Sequence, residues 1–120
     1  MGITKKQRQD IFNKSGGLCW YCGDPLQKRW HVDHIDPIFR DKNGMPRKID
    51  LDKYENMVPA CPSCNLFKSV FDLESFRSEI EAQKERVRRY SSGFRIAEKM
   101  GIIQIVDKPV VFWFEENIKN

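Results

Sequence analysis

Four cysteines constrain this chain more than anything else in it. Cys19 and Cys22 form one Cys-x-x-Cys pair, Cys61 and Cys64 form a second, and 38 residues separate the pairs. Each spacing lets two sulfurs grip one ion from a tight turn, and two such pairs together read as a four-cysteine zinc site. A redox dithiol would need one pair beside a βαβ unit, a pattern the chain lacks. Four thiolates fill a tetrahedral shell and leave no open position for water or substrate, so the expected zinc is structural. It would tie the turn before a first strand to the start of a helix. Gly23 suits the backbone geometry of such a knuckle.

The flanking pattern supplies the elements. Thr4 is a good N-cap, and Gln7 completes a capping box for a helix reaching about Lys14, which Gly16-Gly17 ends. Lys5, Lys6, Arg8 and Lys14 make this helix basic, as a solvated face or as phosphate contacts. Lys28 to His34 alternates as a strand, with Trp30 and Val32 on one face and His31 and Asp33 on the other. Asp36 to Tyr54 is an irregular loop longer than most connections, carrying Arg40, Lys42, Arg47, Lys48 and Lys53. Asn56 to Ala60 reads as a second strand, and a helix runs from Cys61-Pro62 through Lys68, with Pro62 suited to a first turn.

The second half is apolar in a different rhythm. From about Asp72, Leu73, Phe76, Ile80, Gln83, Val87 and Tyr90 fall on one helical stripe. Packing on the domain itself explains the stripe, and a self-association seam is the alternative. Ser91-Ser92-Gly93 breaks it, and Phe94 to Met100 reads as a short helix closed by Gly101. Ile102 to Val106 and Val110 to Phe114, joined by Asp107-Lys108-Pro109, predict a β-hairpin. Its aromatics Phe112, Trp113 and Phe114 would serve as core, as a dimer contact or as a wedge into DNA, in that order.

Charge settles less. The 21 basic and 17 acidic residues give +4, and four thiolates on one Zn²⁺ would leave about +2. A polyanion partner must therefore be argued from how charge is distributed, not from its sum. No apolar run approaches the ~18 residues that span a bilayer. The first 14 residues lack the apolar core of a signal peptide. The expectation is a cytoplasmic protein with no membrane partner.

Asp33-His34 ends the first strand, and Pro37 shows that the strand stops nearby. Adjacent strand residues point to opposite faces, so the two share a site only if the strand bends there. An aspartate is a hard oxygen ligand suited to Mg²⁺, and a histidine can take a proton from water near neutral pH. Taken alone, the pair reads equally well as a hydrogen-bonded structural feature.

Three stretches alter that balance: His31-Val32-Asp33-His34-Ile35-Asp36-Pro37, Glu55-Asn56-Met57-Val58-Pro59-Ala60-Cys61 and Cys64-Asn65-Leu66-Phe67-Lys68-Ser69. Together they resemble the HNH (His-Me finger, ββα-metal) endonuclease family over about Leu18 to Ser69, framed by zinc knuckles as in many members. The resemblance implies that Asp33 and Asn65 bind a catalytic divalent ion, Mg²⁺ or another such as Mn²⁺. It implies that His34 is the general base, and that Asn56 stabilises the loop holding His34 without being a ligand. The third signature position, often His in the family, is Asn65 here, which bears on metal preference. His31 is expected to be a strand surface residue. Lys68 shares a helix face with Asn65 and is expected near a phosphate, or else solvated at the helix end. Arg47, Lys48 and Lys53 are the loop residues expected on nucleic acid.

The resulting expectation is an α+β protein. Residues 1–71 form a zinc-stabilised ββα-metal nuclease core. Residues 72–120 form an extension packed on it: an amphipathic helix, a short helix and the C-terminal hairpin. Its expected activity is metal-dependent hydrolysis of phosphodiester bonds in double-stranded DNA. The alternative is a non-catalytic zinc module that binds nucleic acid. Double-strand cleavage by one small site would require a homodimer or two separate nicks.

Overall fold

A computed structural model describes residues 2–118. They group into two units: residues 2–73 with 111–118, and Glu74–Val110. Residues 111–118, expected in the extension, thus belong with the first unit.

The first unit opens with α1 (Lys5–Asn13), started by the expected capping box: Thr4 Oγ1 accepts from Gln7 N, and Gln7 Oε1 from Thr4 N. Two antiparallel strands follow, β1 (His31–His34) and β2 (Met57–Ala60), with His31 opposite Ala60 and His34 opposite Met57. β1 is shorter than the expected span from Lys28, because β2, with which it pairs, has four residues. α2 (Pro62–Lys68) has Cys61 as its N-cap and Pro62 in its first turn. Ile11, Trp30 and Met57 form a buried cluster, with Ile3, Phe12, Leu26 and Val32 packed against it. Trp30 and Val32 thus share the apolar face that alternation assigns them.

Two basic residues at α1 staple it to the strands. Arg8 Nη2 donates to Trp30 O at 2.5 Å, and its guanidinium lies 3.9 Å over the Trp30 ring. Lys14 Nζ donates to Tyr54 O and Met57 O at 2.7 and 2.6 Å. Neither is a solvated charge.

In the second unit the expected long helix is two helices, α3 (Leu73–Glu81) and α4 (Gln83–Tyr90), separated at Ala82. The Gln83 side-chain amide bonds Glu79 O at 3.0 Å, the acceptor its own backbone N–H would use in a continuous helix. Along the stripe Phe76 is buried, Leu73, Ile80 and Val87 are half-buried, and Tyr90 is exposed. α5 (Ser92–Lys99) starts at Ser91, whose Oγ accepts from Phe94 N, and Gly101 follows with φ +77°. Arg88 pairs with Glu98 at 2.7 Å, joining α4 to α5, and Arg95 donates to the carbonyls of Arg88 and Arg89 at the end of α4.

The C-terminal hairpin is not formed. Residues 103–112 have no regular structure, and α6 (Trp113–Asn117) replaces the second strand. The aromatics are used elsewhere. Phe112 is buried, its ring edge-on to Tyr21 at 5.5 Å, and Phe114 stacks on Trp20 at 5.4 Å. The first amides of α6 donate to the first knuckle: Trp113 N to Tyr21 O at 2.9 Å, and Phe114 N to Trp20 O at 3.0 Å. Strand pairing would forfeit both bonds. Gly23 also lies against this helix: it has φ +78°, and a Cβ there would stand 2.5 Å from Trp113 Cδ1. Replacing Phe112 by Ala is expected to cost about 3–5 kcal/mol in urea melts.

Candidate active site

The knuckles meet as their spacing requires. The four sulfurs of Cys19, Cys22, Cys61 and Cys64 lie within 4.8 Å of one another, with Cys22 and Cys61 3.9 Å apart. Sulfurs around a tetrahedral zinc stand about 3.8 Å apart when Zn–S is about 2.3 Å. Backbone amides already face them: Cys61 N donates to Cys19 Sγ, and Cys64 N to Cys61 Sγ. A hydrogen bond from the Cys64 thiol, helped by nearby amides, draws Cys19 down to about 4, while burial pushes Cys22 up to about 12. Cys64 is pushed up chiefly by the same bond to Cys19. Sulfurs this close share little negative charge until a cation joins them. The set is therefore suited to a thiophilic divalent ion, and the four cysteines can hold zinc.

The knuckle reaches into the strand through one side chain. Tyr21, between the first two cysteines, donates its phenol proton to Asp33 Oδ2. Asp33 is buried, and burial raises its carboxyl above the usual range, against the pull of Lys68. Lys68 is fully enclosed. Its Nζ donates to His34 O at 2.8 Å and stands 3.3 Å from Asp33 Oδ2. This corrects both sequence readings of Lys68: it neither reaches outward to a phosphate nor sits in solvent. The physical reason is the buried carboxylate, which needs a cation beside it. Lys68→Met is expected to cost about 3–5 kcal/mol in thermal or urea melts, because it leaves Asp33 buried and unpaired.

Asn65, one turn before Lys68 on α2, bridges two strand residues. Its Nδ2 donates to Asp33 Oδ1 at 3.1 Å, and its Oδ1 lies 2.7 Å from His31 Nδ1. His31 is thus held at the site, although alternation marks it only as a surface residue. His34 ends β1 and is half-buried, with Nε2 2.9 Å from Asp52 Oδ1. Asp52 is a site residue that sequence reading missed. It sits in the irregular loop, where neither period nor spacing marks it.

Asn56 is buried and closes that loop. Its Oδ1 accepts from Asp36 N, and its Nδ2 donates to Asp36 O and Leu51 O, each at 2.8–2.9 Å. Its carbonyl accepts from Ile35 N at 3.0 Å. The backbone just past His34 is fixed by these bonds.

Asp33, His34 and Asn65 line one cleft of about 380 Å³, together with Pro37, Ile38, Phe39, Arg40, Ser69 and Val70. The strand ends at His34, so two adjacent residues reach one space. Phe39 (φ +50°) and Ser69 (φ +49°) are the non-glycine residues with positive φ among the described residues, and both border this cleft. Such strain gathers at functional sites. Arg40, Arg47, Lys48 and Lys53 lie on the loop beside it, all four exposed.

The HNH endonuclease family model matches residues 19–70. Residues 19–70 form an HNH domain. No curated protein and no solved structure matches the chain. HNH domains are generally nuclease domains that use divalent metals and act on nucleic acid, so this one is expected to cut nucleic acid or to bind it. No helix among the described residues is long and apolar enough to cross a membrane.

Proposed function

We propose that this HNH domain is a metal-dependent endonuclease acting on double-stranded DNA. The carrying observation is the cleft in which a buried carboxylate, a side-chain amide and an imidazole converge.

The donor chemistry of the cleft fits a hard divalent ion, Mg²⁺ or Mn²⁺. Tyr21 and Lys68 occupy Asp33 Oδ2 and leave Oδ1 facing Asn65. Amide oxygen and nitrogen are exchanged by a simple flip. Turned over, Asn65 would set its oxygen beside Asp33 Oδ1 and present its NH2 to His31 Nδ1, which accepts in the Nε2–H tautomer. Asp33 and Asn65 would then hold the ion between two oxygens. When bound, such an ion relieves charge on the phosphate and on the leaving 3′ oxygen.

The remaining work falls to the chain. His34 takes a proton from the attacking water through its second ring nitrogen, Nδ1. Asn56 keeps the loop beyond His34 in place and touches no phosphate. Arg47, Lys48 and Lys53 neutralise backbone phosphates, which positions the duplex without reading its sequence. A soluble cytoplasmic setting and a structural zinc complete the reading. Two strands would be cut by two nicks or by a homodimer.

The test is cleavage of a supercoiled plasmid by zinc-loaded protein, with and without added Mg²⁺ or Mn²⁺. Nicked product only with added metal is the expected result. DNA binding without product under either metal would leave the non-catalytic zinc module in its place.

A further inference from the structure

We infer that Asp52 is the positioning residue of the candidate base: it fixes His34 in the tautomer that leaves Nδ1 free to accept a proton. The inference rests on the nuclease reading above and names a part of its machinery that lies outside the three signature stretches.

The tautomer follows from the contact. Asp52 Oδ1 lies 2.9 Å from His34 Nε2. An ionised carboxylate only accepts, so Nε2 must carry the proton when the imidazole is neutral. Nδ1 is then the unprotonated nitrogen. Without that partner a neutral imidazole is free to place its proton on either nitrogen, and the Nδ1–H form cannot act as base from Nδ1.

Independent bonds hold Asp52 where the contact needs it. Asp52 N donates to Ile49 O at 3.1 Å, closing a short turn. Leu51 O, one residue earlier, accepts from Asn56 Nδ2 at 2.8 Å. The same Nδ2 donates to Asp36 O, two residues past His34. One amide therefore clamps the segment that carries His34 to the segment that carries Asp52. This gives a physical reason for the long excursion between the strands: it returns a carboxylate to the back of the imidazole. His34 and Asp52 also line a second cleft of about 410 Å³, so the pair stands between two openings in the surface. A partly exposed pair like this contributes little to stability. Orientation is the service it can render.

The experiment reads the tautomer directly. Two-bond ¹H–¹⁵N spectra of zinc-loaded protein are recorded for wild type, Asp52→Ala and Asp52→Asn near pH 8. Cleavage kinetics are recorded beside them. Wild type is expected to show His34 protonated on Nε2. Asp52→Ala is expected to show a mixed tautomer and a kcat lower by about 10–100-fold with KM unchanged. Asp52→Asn keeps an acceptor oxygen at the same place and is expected to fall between the two; it also serves should the alanine variant not fold. His34 protonated on Nδ1 in wild type would overturn the inference, as would an unchanged tautomer and kcat in both variants. Wild type that cuts nothing would instead overturn the nuclease reading and the catalytic part of the inference with it, while the spectra would still decide the orienting contact.

Discussion

His34→Ala is expected to bind DNA as wild type does and to nick it about 10²–10⁴-fold more slowly. The size follows from what is removed. The imidazole is the one group in the cleft that can take a proton from water near neutral pH. Asp33 has both oxygens engaged, Asn65 is an amide, and Lys68 is an enclosed cation. A loss of that order corresponds to about 3–5 kcal/mol of barrier. Folding should be nearly unaffected, because the loop beyond His34 is held by Asn56 and the strand by its pairing with Met57. Single-turnover nicking rates, gel-shift affinities and a melting curve, taken together, separate these effects. Equal rates for the two proteins would mean that another site, or a contaminant, does the cutting.

Much of the site was legible because its chemistry is local. Two Cys-x-x-Cys pairs fix a tetrahedral cluster whatever lies between them, and the sulfurs do converge. Thr4 and Gln7 form their capping box because capping needs only four residues. Asp33, His34 and Asn65 are the residues that the family resemblance implies, and the fold brings all three to one cleft. What sequence missed depends on packing. Lys68 reads as a surface lysine because composition carries no sign of a buried carboxylate one strand away. Asp52 is invisible because its loop has no period. The hairpin failed for a related reason. β-branched and aromatic runs favour a strand only when a partner strand is the best place to bury them. Here the rings of Trp20 and Tyr21, with two knuckle carbonyls, offered a better one.

Withdrawing zinc is expected to unfold the first unit outright, with a loss on the scale of the apparent ~10–16 kcal/mol that structural zinc contributes in small domains. The unit has little else to rely on. Its sheet is two strands of four residues, and its packed side chains form two small groups, one around Ile11, Trp30 and Met57 and one of rings around Trp20, Tyr21 and Phe112. Cores this small usually need a staple. The staple also reaches further than four sulfurs. Trp20 N donates to Pro59 O, Tyr21 holds Asp33, and the first amides of α6 rest on the carbonyls of Trp20 and Tyr21. Cys61→Ala should be as severe as chelation, since it removes both a zinc sulfur and the acceptor that caps α2 ahead of Asn65 and Lys68. Circular dichroism and tryptophan fluorescence during titration with a zinc chelator would follow the collapse, and Trp20 would report it through its stacking on Phe114. Cleavage should vanish along the same curve and should not return with excess Mg²⁺, because Asp33 loses Tyr21 and its place beside Asn65. Melting curves and activity indifferent to the chelator would mean that the thiols hold no ion and that the aromatic packing alone supports the fold.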